Sequence, residues 1–96
     1  MFPGPLTIFT LNLNIDRPHP DGDRLVRDEI HRLRPDLISF QEALWHDKSQ
    51  DQARQILDEL SYETVHQFEL QSPDRPYGTA IASRFPIARS DLIKLP

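Results

Sequence analysis

The feature that most constrains the fold is a short apolar segment, residues 36–41, that ends at Gln41 and is followed by Glu42. An earlier segment, residues 6–13, is rich in β-branched and apolar residues and carries Asn12 near its end. A helix-like stretch separates the two segments, so they are expected to be strands that run parallel. Because the carboxyl ends of parallel strands meet at one edge of a sheet, Asn12 and Glu42 are expected to converge there if the two strands are neighbours.

The helices are predicted from capping signals and apolar spacing. Asp23 is expected to cap a helix over residues 23–33, which Pro35 ends. Ser49 and Gln52 form a Ser-x-x-Gln capping box for a second helix, which is expected to reach about residue 60. The apolar stripe of this second helix comprises Ala53, Ile56, Leu57 and Leu60.

The remaining segments complete a predicted α/β chain with the element order β-α-β-α-β-β-β. Beyond the first two strands, alternation and small residues predict strands over residues 62–70 and 78–83, with one more over 89–95. Proline and glycine place loops over residues 14–22 and 71–77. A further loop is expected over residues 43–48.

Composition excludes several classes of site. The chain has 96 residues, enough for at most one domain, and no cysteine, which rules out disulfides, thiolate metal sites and cysteine nucleophiles. Its net charge of -4 argues against a protein that coats nucleic acid, although a metal site in a nuclease can offset phosphate charge locally. No signal peptide or membrane-spanning run is found, so the location is left open, with the cytoplasm as the default.

Glu42 and Asn12 carry oxygen atoms of the kind that Mg²⁺ accepts as ligands. Two such side chains can begin a magnesium site but cannot complete it, because waters and substrate phosphate usually supply the other ligands. Spacing alone leaves simpler alternatives open. Glu42 would then be a solvated charge at a strand end, and Asn12 a turn-forming residue.

Three segments of the chain together resemble the endonuclease/exonuclease/phosphatase superfamily. Residues 10–14 are similar to its first motif, a strand that ends in Asn. Residues 34–42 resemble its Pro-Asp-x-x-x-x-Gln-Glu motif, and residues 78–87 resemble a segment that ends in Ser-Arg-x-Pro-Ile. They occur in the family's order and extend the resemblance from Leu6 to Ile87. Ser83 and Arg84 fall in the third segment, where the role is expected to be structural.

The resemblance implies a four-layer α/β/β/α sandwich and metal-dependent hydrolysis of a phosphodiester or phosphomonoester. Residues 1–96 would be the N-terminal portion of one such domain, because the family's later motifs, including its catalytic His and Asp, are not in this sequence. Glu42 would be the main protein ligand of Mg²⁺ or Mn²⁺, with Asn12 beside it. The isolated chain is therefore expected to be inactive, with one face of its sheet uncovered.

The substrate and one rival function stay open at this level. Family members hydrolyse nucleic acids, inositol phosphates and phospholipid head groups. The acidic balance slightly disfavours a DNA-repair nuclease, and so does Glu42-Ala43-Leu44-Trp45, which departs from the Gln-Glu-Thr-Lys form of that branch. Trp45 and His46 are either substrate contacts or ordinary loop residues. The rival is a non-catalytic α/β module that serves binding or scaffolding.

Overall fold

The computed structural model describes residues 4–13, 20–44, 51–72 and 75–91. Trp45, His46 and Ser49 lie outside this part of the chain. The described residues form six elements, in the order β-α-β-α-β-β. They are β1 (Ile8–Asn12), α1 (Gly22–Leu33), β2 (Leu37–Leu44), α2 (Gln52–Ile56), β3 (Glu63–Ser72) and β4 (Arg75–Ser83).

The four strands form one sheet with the spatial order β1-β2-β4-β3. β1 and β2 are parallel, with Ile8 opposite Leu37 and Asn12 opposite Gln41, while β4 is antiparallel to both β2 and β3. The two strands are therefore neighbours, which is the condition for Asn12 and Glu42 to converge. The α/β class is confirmed, since two helices accompany a four-stranded sheet.

Helix α1 ends where it was predicted to end but starts earlier. Its cap position is Asp21, whose side chain makes no capping hydrogen bond, and Asp23 lies inside the first turn, where its charge favours the helix dipole. The helix ends because Arg34 takes a left-handed conformation at φ 49° and its N–H donates to the Ile30 carbonyl at 2.7 Å. Pro35 then prevents continuation.

Helix α2 is shorter than predicted and begins differently. Its cap is Asp51, whose carboxylate accepts a hydrogen bond from the Arg54 backbone N–H at 3.1 Å. The helix ends at Ile56, and the chain then turns through Glu59 and Ser61, both of which have positive φ. The predicted apolar stripe is still buried, including Leu57 and Leu60 beyond the end of the helix.

The hydrophobic core lies between the two helices and one face of the sheet. Phe40 is the largest fully buried side chain, and burying a side chain of this kind contributes about 1.5–3 kcal/mol. The core residues from the strands are Ile38, Phe40, Ala43, Ala80 and Ala82, and those from the helices and the turn after α2 are Ile30, Ala53, Ile56, Leu57 and Leu60. Two adjacent layers of the expected sandwich, one helical and one of strands, are thus formed by the described residues.

On the opposite face of the sheet, large apolar side chains are exposed in the part of the chain that the structure describes. Ile8 and Ile81 are 65% and 54% exposed. Residues 87–91 follow β4 and line a groove of about 620 Å³ on this face together with Leu37, Val65 and Ile81.

Three further segments differ from their predicted conformation. Residues 43–44, expected in a loop, continue β2. Residues 71–72 and 75–77, expected in a loop, extend β3 and β4. Pro76 pairs with Leu70 of β3 and lies beyond the pairing of β4 with β2, which reaches Tyr77, so its missing N–H interrupts no bond to β2. The strand expected over residues 89–95 is not observed at 89–91, and residues 92–96 lie outside the described part of the chain.

Neither described helix is long and apolar enough to cross a membrane.

Candidate metal centre

The two predicted site residues lie on neighbouring strands at the same edge of the sheet. Asn12 is the last residue of β1, and its partner on β2 is Gln41, the residue directly before Glu42. The parallel ladder continues beyond this pair, since the Leu13 N–H donates to the Gln41 carbonyl at 2.9 Å. The backbone on both sides of Asn12 is thus fixed to the part of β2 that carries Glu42.

A β-bulge determines where Glu42 falls in the strand. Phe40 pairs with Ala80 and Ala43 pairs with Gly78, so β2 has two residues where β4 has one. Regular alternation would place Phe40 and Ala43 on opposite faces, because they are three residues apart. The extra residue returns Ala43 to the core and leaves Gln41 and Glu42 half-buried, outside the core.

Glu42 itself has a φ of 54°, a left-handed conformation that is uncommon for a residue with a side chain. Such a conformation costs roughly 1–2 kcal/mol per residue. It persists only where the surrounding structure holds it, and such residues are frequent at functional sites. The strain supports the hypothesis that the position of Glu42 serves a purpose other than stability.

The side chain next to Glu42 is also held in place. Gln41 donates from its Nε2 to the Ser39 hydroxyl oxygen at 2.9 Å and to the Ser39 carbonyl at 3.2 Å. Residues 39 and 41 share the face of β2 away from the helices, since they alternate with the buried Ile38 and Phe40. The face that carries Gln41 is therefore polar near the strand end and apolar further back, at Leu37.

A hydrogen-bonded link joins this edge of the sheet to both helices. The Gln52 side chain accepts from the Leu44 backbone N–H through Oε1 and donates to Asp23 Oδ1 through Nε2, both at 2.9 Å. The sequence reasoning missed this link because it assigned Gln52 to a capping box. No spacing in the sequence identifies it, since its three members are far apart along the chain.

The opposite end of the parallel pair carries a buried carboxylate, Asp36, with several hydrogen-bond donors. Asp36 is 7% exposed and accepts from the Thr7 backbone N–H at 2.7 Å, from the Thr7 hydroxyl at 3.1 Å and from Arg84 Nε at 2.6 Å. The Thr7 backbone bond and then the Arg84 guanidinium lower the pKa of Asp36. Arg84 thus has a structural contact, as expected from the third motif.

The donor set of Glu42 and Asn12 fits the first part of a hard-cation site. A carboxylate and an amide oxygen are both ligands that Mg²⁺ accepts, and they stand at adjacent strand ends. Within the described ranges there is no group of three or more His, Cys, Asp or Glu side chains that could hold a metal ion. The two residues would therefore provide part of a coordination sphere, with the other ligands coming from elsewhere.

Comparison with protein families identifies the chain. The model of the Endonuclease/Exonuclease/phosphatase family matches residues 9–96. The chain belongs to this family. Searches of curated proteins and of solved structures give no match. Members of the Endonuclease/Exonuclease/phosphatase family are hydrolases that act on phosphate esters, generally with divalent metal ions. The resemblance inferred from the three motifs is confirmed.

Proposed function

We propose that this chain is the N-terminal portion of a metal-dependent phosphoesterase domain, in which Glu42 binds Mg²⁺ or Mn²⁺ and Asn12 assists. One observation carries the proposal. The bulge in β2 puts Glu42, in a strained conformation, one residue beyond the partner of Asn12 at the carboxyl edge of a parallel pair. Ligand sites in layered α/β folds collect at this edge.

The chemistry expected of the two residues follows from their donors. The Glu42 carboxylate supplies negative charge to a divalent ion, and the Asn12 amide supplies either an oxygen ligand or an N–H donor to a substrate phosphate. Glu42 and Asn12 would hold such an ion, which would supply charge stabilisation to a phosphoryl oxygen and to the leaving oxygen. The base that takes a proton from the attacking water would come from a part of the domain outside these 96 residues.

The substrate is proposed only as a class. Family membership supports a phosphoester, and the proposed candidates are a nucleic acid, an inositol phosphate or a phospholipid head group. The net charge of -4 gives no basic surface for general attraction of a polyanion. Recognition would therefore depend on the metal and on residues near the reacting phosphate.

The test is Glu42→Gln in the full-length protein that carries this chain, because glutamine keeps the size of the side chain and removes its charge. Loss of several kcal/mol of charge stabilisation predicts a fall of at least about 100-fold in Mg²⁺-dependent hydrolysis of a model phosphodiester. Glu59→Gln is the matched control, since Glu59 is exposed and forms only a long contact of 3.9 Å with Arg27. Hydrolysis by Glu42→Gln at the wild-type rate would contradict the assignment.

The rival function predicts a different pattern in the same experiment. A non-catalytic α/β module would show no Mg²⁺-dependent hydrolysis in the wild-type protein, and Glu42→Gln would then behave as the Glu59→Gln control does. Binding of Mn²⁺ measured on all three proteins distinguishes the two cases independently of any chosen substrate. Only the phosphoesterase proposal expects the Glu42 variant to lose Mn²⁺.

A further inference from the structure

The link through Gln52 connects three elements that meet behind the candidate metal centre. Gln52 is the first residue of α2, Asp23 lies in the first turn of α1, and Leu44 is the last residue of β2. Helix α1 follows the connection that leaves β1 at Asn12, and α2 follows the connection that leaves β2. The Gln52 side chain therefore contacts the start of α1 and itself belongs to the start of α2, the two helices that follow the strands of the site.

The polarity of the link fixes the Gln52 amide in one orientation. The Leu44 N–H can only donate, so it needs the amide oxygen. The Asp23 carboxylate, when ionised, can only accept, so it needs the amide NH₂. Turning the amide by 180° would place donor against donor and acceptor against acceptor. The bond to a carboxylate is also charge-assisted, although both bonds of the link lie at the exposed surface, where water weakens that gain.

The link holds the segment directly after Glu42, whose strained conformation depends on fixed neighbours. Ala43 is buried in the core directly after Glu42, and the Leu44 N–H one residue later is held by Gln52. The left-handed conformation of Glu42 is thus followed by two consecutive fixed residues. Without the Gln52 bond, Leu44 would keep its pairing with Tyr77 of β4 but lose the acceptor of its N–H. The end of β2 could then relax toward an ordinary extended conformation, which would move the Glu42 side chain.

We infer that Gln52 is a positioning residue for Glu42, with Asp23 setting the orientation of the Gln52 amide. This inference rests on the proposed function, since it takes Glu42 as the ligand of a divalent ion. Groups that orient a metal ligand typically change metal affinity by 10–100-fold when they are lost. Gln52 would act at the lower end of that range, because it reaches Glu42 through the backbone.

The experiment reverses the polarity of the link in the full-length protein. In Gln52→Glu two carboxylates face each other, so we expect Mn²⁺ to bind about 10-fold more weakly and the Leu44 amide to exchange faster with solvent. In the double variant Gln52→Glu, Asp23→Asn the asparagine NH₂ can donate to the new carboxylate. Most of the affinity and of the Leu44 protection should return. Free Mn²⁺ is counted by electron paramagnetic resonance, and exchange is followed by mass spectrometry.

Gln55→Glu is the matched control, because it adds the same charge to the same helix outside the link. Glu42→Gln, measured alongside, separates the two proposals. If it loses Mn²⁺ while Gln52→Glu binds as the wild type does, only the role of Gln52 is overturned. If Glu42→Gln itself binds Mn²⁺ normally, both proposals are wrong. A lower melting temperature of Gln52→Glu with unchanged Mn²⁺ affinity, or no recovery in the double variant, also overturns the positioning role.

Discussion

The two ends of the parallel pair β1–β2 are built in opposite ways. At the amino end, Asp36 joins the residue before β1 to the residue after β4 through Thr7 and Arg84. At the same end, the Tyr62 hydroxyl donates to the Pro35 carbonyl at 2.6 Å. At the carboxyl end, β2 contains a bulge and a strained Glu42.

The difference between the two ends indicates how a small sheet can contain a strained residue at one edge: the other end of the same strands is extensively hydrogen-bonded. Every group in the amino-end network has partners that satisfy it, and its bonds join segments that are 27 to 48 residues apart in sequence. The carboxyl end keeps a half-buried carboxylate outside the core, and the Gln52 side chain of α2 contacts this end at the Leu44 N–H. Regions that bind ligands are commonly drawn from the less stable part of a fold. Stability and the proposed function thus occupy opposite ends of the same strands.

The substitution Asp36→Ala is expected to lower the stability of the amino end most. This change removes the acceptor of three hydrogen bonds at once and leaves the Thr7 N–H without that acceptor in a half-buried place. We expect the largest fall in unfolding free energy among the variants discussed, measured by urea unfolding. Glu29→Ala is the control, because it also removes an arginine partner, Arg32, but from the exposed surface of α1, where a single pair contributes little. Equal losses in the two variants would contradict the contrast.

The same carboxylate predicts how stability depends on pH. The pKa of Asp36 in the folded protein lies below its ordinary value of 3.8, chiefly because of the Thr7 backbone bond and then Arg84. A group with a lowered folded pKa stabilises the fold above its unfolded pKa, and that contribution is lost as the pH falls through the folded pKa. Stability should therefore decline as the pH falls below about 4, and the decline should be shallower in Asp36→Asn.

Urea unfolding of both proteins between about pH 6 and about pH 2 measures this difference. Arg32 also lowers the pKa of Glu29, so some decline should persist in Asp36→Asn. Parallel profiles for the wild type and Asp36→Asn would show that Asp36 titrates equally in the folded and unfolded chains. The contribution of the amino-end hydrogen bonds to stability would then not depend on the charge of Asp36.

The features that follow from local pattern were predictable from the sequence. An apolar strand, a helix and a second apolar strand specified the parallel pair, and that placed Asn12 beside the segment carrying Glu42. The helical spacing of the second apolar stripe also gave its burial correctly, although α2 ends at Ile56. Burial depends on which residues face the sheet, and that survives when the last turn of a helix becomes irregular.

The features that depend on contacts between distant segments were not predictable. The bulge arises because Ala43 must return to the core opposite Gly78, and neither residue signals this by itself. The preference of Gln52 for Leu44 and Asp23 over a capping box is likewise decided by tertiary neighbours. In residues 71–77 the proline signals predicted a loop, but they are overridden where β4 extends past the end of its pairing with β2.

The smallest expected change in unfolding free energy is a gain and not a loss, and it concerns the carboxyl end. Glycine adopts positive φ without the steric cost that Glu42 bears, so Glu42→Gly should raise the unfolding free energy by about 1 kcal/mol while it abolishes Mn²⁺ binding. Ser61→Gly is the matched control, because Ser61 is an exposed residue with a φ of 64° and should gain stability with Mn²⁺ affinity unchanged. Glu42→Ala removes the carboxylate but keeps the strain, so it should lose Mn²⁺ without the gain. If Glu42→Gly were no more stable than Glu42→Ala, the conformation at residue 42 would carry no strain, and the contrast between the two ends would rest on hydrogen bonding alone.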